Sequence, residues 1–488
     1  MYSGAGFSDW EIGDVDVFID DDGTYHLFHL IIPNHDYIAH AMSKDGISWE
    51  RQKNALFVGH PGEWDDDMLW TMHVSRAEEG YEMYYTGLQL KDRGKVQKVG
   101  RATSKDLMNW EKDASQLLES AAPHYEDLAN NPREWLSFRD PFKIICDKGE
   151  TFLLMCARYA MGPVSRRGCV GVAKLTNGQF ELEKPLFIPH VYDDVECPCV
   201  IKVKGMHYLI GSIREDIKVR YWFAPEFQDE YHAFHDNVLL PQGNYAARII
   251  KDSNDHILVY NFYFLGGSVN THRSLPPPKE LDVDDKGRLQ LKSFYRWQQM
   301  VELVITQDKF PIPKQLFGNR TADFVTKDDR WLFSSLSGYE LFAFQKPSKN
   351  LIWEGVLTME GLGKCGLILD ADENGDGYFI SLDFVNGFAQ IRAWGFNPDN
   401  NQHNFVFDSL QNNQFEHPLD HSLHFKLIRY GSYIELSLDG IVILTLVDYT
   451  YSSNNIGFYA SSSIISLKDA VIYQLPDAED EYALQEVS

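Results

Sequence analysis

No stretch of the 488 residues reaches the roughly 18 consecutive apolar positions that a membrane-crossing helix requires. The amino terminus, MYSGAGFSDWEIGD, has no basic start followed by an apolar run, so no secretion signal is visible and a cytoplasmic location is expected. Cysteine is scarce and unpatterned. Cys146, Cys156, Cys169, Cys197, Cys199 and Cys365 fall mostly inside apolar, strand-like runs without CxxC spacing, which speaks against a disulfide scaffold or a zinc module and reads as buried free thiols. Positive charge is short, with 45 Lys plus Arg against 71 Asp plus Glu and a net charge of −26. Such a surface repels nucleic acid and anionic membrane, leaving a neutral substrate as the expected partner; nothing in the sequence signals an oligomeric state. Helical spacing is also missing, because Tyr, Phe and Trp, 14% of the chain, cluster in short β-type runs. With 44% apolar residues over this length, the expectation is an all-β protein of two domains.

Repetition is what the chain has in abundance. A glycine turn opens an aromatic-rich strand in DDGTYHLFHL (Gly23), EEGYEMYYTG (Gly80), DKGETFLLMCA (Gly149) and VKGMHYLIGS (Gly205), with a looser fifth copy, SNDHILVYNF, at Asp255. Intervals of roughly 50 to 70 residues, each with room for several strands, point to propeller blades. A second phrase recurs in HAMSKDGISWE (40–50) and RATSKDLMNWE (101–111): a Ser-Lys-Asp turn with a Trp four residues after the Asp. In a blade this turn joins two antiparallel strands and the Trp packs between sheets; VAKLTNGQFELEKP is a worn third version. The five copies predict a five-bladed β-propeller over residues 1–300. The segment ITQDKFPIPKQLFGNR, with two prolines, reads as a connector spanning 301–325. Short alternating strands bounded by Gly, Asn and Asp then predict a C-terminal two-sheet β-sandwich over 326–476, ahead of an acidic tail, 477–488.

Three carboxylates stand nine positions ahead of their glycine turns: Asp14 before Gly23, Asp140 before Gly149 and Glu196 before Gly205. Thr71 and Ala246 hold that offset in the second and fifth copies. Equal positions in units arranged about an axis face one funnel, so the three acids are expected at a single site. Arg139 beside Asp140 is expected to hold it ionised, and Pro141 to stiffen the turn that aims it. Trp70 and Thr71 occupy the funnel register of the second blade and can stack on and hydrogen-bond a sugar ring, although a core Trp between blades fits as well. Cys197 is expected in the pocket beside Glu196 without acting as a nucleophile, and His73 is read as structural. DADENGDG (370–377) matches the opening of a calcium loop but has Ser381 where a bidentate Glu belongs, which favours a plain hairpin turn.

The segments SFRDPF around Asp140 and VECPC around Glu196 resemble the Arg-Asp-Pro and Glu-Cys motifs of glycoside hydrolase family 32, the β-fructofuranosidases, invertases, levanases and inulinases. The resemblance extends over DDGTYHLFHL, IAHAMSKDGISWE, LWTMHVSRAEEGYEMYYTG and GRATSKDLMNWE, across the whole expected propeller. It implies a five-bladed propeller with a C-terminal β-sandwich, no cofactor or metal, and a retaining hydrolysis of β-fructofuranosides such as sucrose, fructo-oligosaccharides or fructans. By the same resemblance Asp14 is the nucleophile, Asp140 the transition-state stabiliser and Glu196 the general acid/base. The family's amino-terminal signature, Trp-Met-Asn-Asp-Pro-Asn-Gly, is reduced here to EIGDVDVFI, which keeps only the Asp, makes Asp16 a rival nucleophile and removes the Asn contacts to fructose. Ile38 replaces a Trp the family often carries. Three other readings stay open: a fructosyltransferase, an inverting arabinofuranosidase or xylosidase resembling family 43, and a carbohydrate-binding protein without catalysis.

Overall fold

The aromatic and β-branched runs fold as strands throughout. The computed structural model describes residues 1–4, 11–264, 273–396, 405–416 and 422–478, and its regular structure is strand apart from short 3-10 turns. Five antiparallel sheets follow one another along the chain, each with its strands in sequence order. Their first strands are Glu11–Ile19, Met68–Arg76, Phe138–Ile145, Glu196–Val203 and Asn244–Lys251. Each packs against the next and the fifth packs against the first, which closes a five-bladed propeller around them. Residues at the amino terminus staple this closure, because Tyr2 bridges to Leu275 of the fifth blade while its hydroxyl meets His29 Nε2 of the first at 2.9 Å.

All five first strands carry a β-bulge in the same place: between Ile12 and Val15, Trp70 and Met72, Arg139 and Phe142, Glu196 and Cys199, and Tyr245 and Arg248. A bulge bends the strand and re-aims a side chain, at the expense of one unpaired amide. In three blades the bulged residue has left-handed φ, 60° at Asp140, 48° at Cys197 and 50° at Ala246, which side chains other than glycine rarely adopt. A hydrogen bond to a neighbouring side chain rescues each freed amide: Asp140 N–H to Thr86 Oγ1 (3.1 Å), Cys197 N–H to Asp140 Oδ2 (2.9 Å) and Ala246 N–H to Ser212 Oγ (2.9 Å). The strain is thereby held in place by contacts between successive blades.

The Ser-Lys-Asp phrases form the outer hairpin turns, with Asp45 Oδ1 accepting the Ile47 and Ser48 amides and Asp106 Oδ1 those of Met108 and Asn109. Their tryptophans pack between blades as expected, Trp49 against Tyr260 of blade 5 and Trp110 against Phe28 of blade 1. In the worn third copy Phe180 does the same against Tyr84 of blade 2.

Beyond blade 5 the chain enters a second β domain at once. The stretch 301–325, expected to be a connector, contributes Leu303–Thr306, Lys314–Gln315 and the start of Ala322–Lys327 to the C-terminal sheet. The first two are edge strands with a single partner each, and Pro311 and Pro313 lie between them, where no ladder amide is required. One 20-residue strand, Asn455–Gln474, pairs with Leu303–Thr306, Arg330–Gln345, Leu351–Glu360 and Lys364–Ala371, which joins the predicted sandwich into one nearly closed network. Period-two burial in Leu351–Glu360 and Phe388–Phe396 turns Trp353, Met359, Ile391 and their neighbours inward. DADENGDG is a hairpin turn in which Asp372 Oδ1 accepts the Asn374 and Asp376 amides. The acidic tail lies outside the described residues from 479 onward. All six cysteines are free, and no helix among the described residues is long and apolar enough to cross a membrane. Buried Trp297, edge-on to Tyr430 and parallel to Tyr433, and the Asn244 amide on Thr445 O (3.0 Å) dock the two domains.

Candidate active site

Where the bulged strands converge, a cavity of about 670 Å³ opens, a size suited to a small glycoside. Asp14 from blade 1, Trp70 from blade 2, Arg139 and Asp140 from blade 3, and Glu196 from blade 4 border it, so three acids far apart in sequence face one space. Two rungs of residues build this funnel. Trp70, Arg139, Glu196 and Tyr245 stand immediately before their bulges, whereas Thr71, Asp140, Cys197 and Ala246 stand within them. Glu196 is therefore one rung away from Asp140, and Cys197 is Asp140's counterpart. The shared nine-residue offset arises because Lys204 and Gly205 alone connect the strands of blade 4, while five residues make the turn in blades 1, 3 and 5.

The deeper rung holds the acids from below. Asp14 Oδ2 accepts the Thr71 hydroxyl and lies 3.7 Å from Cys197 Sγ, and Asp140 Oδ2 accepts the Cys197 amide at 2.9 Å. Thr71 and Cys197 are buried and do not border the cavity, so both act through the carboxylates they contact. Burial drives the Cys197 thiol far upward, and Asp14 and Asp140 add to that, keeping it a protonated donor. Asp14, Asp140 and Cys197 offer three ligand-type atoms within 4.8 Å of one another.

On the rung above, Arg139 Nη2 lies 2.6 Å from Glu196 Oε1 and 2.9 Å from Asp194 Oδ2, whereas the nearest approach to Asp140 is 3.7 Å from Nε. The expected influence of Arg139 on Asp140 is present, its charge being the main one that opposes burial there, but the rung places Arg139 beside Glu196 and its hydrogen bond goes to Glu196. Tyr245 donates its hydroxyl to the other Glu196 oxygen. Burial is the largest influence on all three acids and pushes their carboxyls above the ordinary range. For Glu196 the guanidinium of Arg139 opposes that push, while Asp140 and Asp194 reinforce it. For Asp14 the Thr71 hydrogen bond opposes and Glu196 reinforces.

Asp16, the rival to Asp14, is buried and turned away from the cavity, with Oδ2 accepting the Val74 amide at 2.7 Å and Oδ1 near His73 (3.3 Å) and Arg248 Nε (3.8 Å). His73 thus belongs to the packing between blades. Ile38 is fully buried in the core between blades 1 and 2. Trp70 is half-buried, borders the cavity and leans on His35 with ring centres 5.7 Å apart. The sequence reading missed Tyr245, Asp194 and Trp135. Tyr245 immediately precedes Ala246, the place Glu196 holds ahead of Cys197, and that parallel was a usable signal. Trp135 stands at the rim with Arg133 and Arg158 over its ring, in a segment without repeat character. Gly13, Leu30, Ile32 and Leu88 give the cavity an apolar stretch, beside polar His35, Gln97 and Arg273.

Residues 9–271 match the family described as "Glycosyl hydrolases family 32 N-terminal domain". The fold as a whole matches a sucrose-6-phosphate hydrolase from Lactobacillus gasseri at 15% identity and TM-score 0.70, over 96% of this chain and 91% of that one. An exo-inulinase from Aspergillus awamori matches at 14% identity and TM-score 0.68, over 96% of both chains. A Bombyx mori β-fructofuranosidase gives 15% and 0.64, over 96% and 91%. At these identities the structural likeness speaks for the fold; no curated protein matches the chain significantly.

Proposed function

The chain belongs to glycoside hydrolase family 32 and is a glycosidase, and from that premise we propose that it cleaves β-fructofuranosides with retention of configuration. The observation that carries the reading is the meeting of Asp14, Asp140 and Glu196 from three blades at one cavity. In the first step Asp14 attacks the anomeric carbon as Glu196 gives its proton to the departing oxygen. In the second, Glu196 takes a proton from water, which displaces Asp14. Asp140, anchored by the Cys197 amide, grips sugar hydroxyls as positive charge develops. A raised proton affinity suits Glu196 as an acid near neutral pH and requires Asp14 to lose its proton before it can attack, so a bell-shaped pH profile is expected.

Fructose release from sucrose, inulin or levan by the parent protein, abolished in Asp14→Ala with the fold intact, is the expected result. Undiminished release by the variant contradicts the assignment, and failure of the parent on every fructoside defeats the substrate class. The apolar stretch of Gly13, Leu30, Ile32 and Leu88 favours a second reading, an arabinofuranoside, whose ring has one hydroxymethyl arm where fructofuranose has two. Hydroxyls facing that stretch would lose water without gaining a partner. Aryl arabinofuranosides in the same screen separate the two.

A further inference from the structure

Glu196 does not hold Arg139 alone. Nη2 of Arg139 is shared between Glu196 Oε1 at 2.6 Å and Asp194 Oδ2 at 2.9 Å. Asp194 takes Arg158 on both oxygens, Nε at 3.1 Å and Nη2 at 3.2 Å, and the same Nη2 reaches Asp193 Oδ2 at 3.2 Å. Arg133 Nη1, 2.9 Å from Asp193, ends the row. Charge alternates in sign from the acid/base to the rim, and the middle members meet the cavity over only a small part of their surface, with side-chain exposures of 8% for Arg139, 10% for Asp194 and 2% for Arg158.

We propose that Asp194 is a positioning residue for catalysis: by dividing Arg139 Nη2 between two carboxylates it governs how readily Glu196 holds a proton. The proposal rests on the reading of Glu196 as the acid/base. A guanidinium bonded to Glu196 alone locks it as a carboxylate and disables it as a proton donor. A second carboxylate on the same nitrogen offsets that positive charge, and Arg158 holds Asp194 in place against Arg139. Asp140, 3.7 Å from Arg139 Nε, adds to the same push on Glu196 without touching the nitrogen bonded to it. Asp14 from blade 1 and Asp140 from blade 3 are bound to Thr71 and the Cys197 amide, Tyr245 from blade 5 donates to the opposite oxygen, and Arg248 is engaged with the Pro198 and Pro141 carbonyls and with Asp16. Among the described residues Asp194 is the one that competes for the nitrogen bonded to Glu196.

Asp194→Asn keeps the shape and removes the charge, leaving Arg139 and Arg158 unopposed beside Glu196. With sucrose as the probe, the alkaline limb of the kcat/KM profile is expected to fall by about one pH unit, roughly tenfold in rate on that limb, with the acid-side limit within about threefold of the parent. Asp194→Glu should restore the limb. Arg158→Gln frees Asp194 to pull on Arg139 and should move the limb the opposite way, to higher pH. A uniform loss at all pH values with the limb unmoved, or a shift of the same sign in both variants, overturns the proposal. Carbon-13 NMR of glutamate carboxyls, with the Glu196 signal assigned by its loss in Glu196→Gln, reads the same displacement without turnover. If the parent leaves sucrose intact, the functional reading fails while this titration still decides the role of Asp194; if Asp194→Asn does not fold, the titration in Arg158→Gln decides alone.

Discussion

Two clusters of buried charge, one in each domain, follow different rules. In the C-terminal domain the fully buried Asp370 is ion-paired with two cations, in contact with Lys346 Nζ and 2.8 Å from Arg429 Nε, and Tyr378 lies under the Arg429 guanidinium. In the propeller funnel Asp14, Asp140, Glu196 and Asp194 crowd around Arg139 and Arg158, and all six border open space. The first cluster is compensated and closed, which is how a structural ion pair tolerates desolvation. In the second, burial raises the proton affinities of Asp14, Asp140 and Glu196, and an excess of acid over base beside a cavity adds to that and leaves protons available for transfer. Burial of charge alone therefore does not mark the chemistry in this molecule; an excess of one sign facing a void does.

The largest expected effects fall on turnover. Asp14→Ala should lower kcat for fructose release by more than about 10³-fold, and Glu196→Gln by roughly 10²–10⁴-fold, both with unchanged far-ultraviolet circular dichroism. Equal losses from Asp370→Ala in correctly folded protein would erase the distinction between the clusters. That substitution should instead destabilise the fold by about 3–5 kcal/mol, because two buried cations lose their partner, with kcat per folded molecule preserved. Urea unfolding beside active-site titration separates the two outcomes.

Thr86→Val tests whether the bulges aim the acids. Losing the acceptor for the Asp140 amide should cost about 1–3 kcal/mol of stability and lower kcat, and a fall in stability alone would confine the bulge to a packing role. The smallest effect concerns pH. Asp14 has a higher proton affinity folded than unfolded, so its contribution to stability is complete below the unfolded value, near 3.8, and is lost as pH rises through the raised folded value. Asp14→Asn removes that loss. Its melting temperature at neutral pH should exceed the parent's by about 2–4 °C, with the gap closing as pH drops toward about 4; a gap that persists in acid contradicts the assigned cause.

Much of this was legible in the sequence because a propeller repeats. Equal spacing from glycine turns was enough to place Asp14, Thr71, Asp140 and Ala246 at the funnel, and the Ser-Lys-Asp turns fixed where Trp49 and Trp110 pack. Counting aligned Glu196 with Asp140, and the bulge register corrects this to Cys197, because residue number does not reveal that the blade 4 turn is shorter. Tyr245 was hidden by its apolar neighbours in GNYAAR, and Asp194 by standing in an acidic pair two residues before the acid it serves. The closest partners of Arg139 were beyond reach, since adjacency in SFRDPF pointed to Asp140, 3.7 Å away, while the strand geometry sends the guanidinium across to Glu196 and Asp194 at 2.6 and 2.9 Å. The connector at 301–325 was misread for a related reason: edge strands that pair on one side need little alternation and tolerate nearby prolines.

Trapping the covalent intermediate tests the central claim most directly. Protein incubated with a fructoside bearing a good leaving group, in the Glu196→Gln background where the second step is slow, is quenched in acid, digested and examined by mass spectrometry. The account predicts one added hexosyl mass on the peptide carrying Asp14, located on Asp14 itself. An adduct on Asp16 or on any other residue, or cleavage whose first product has inverted configuration, would contradict it.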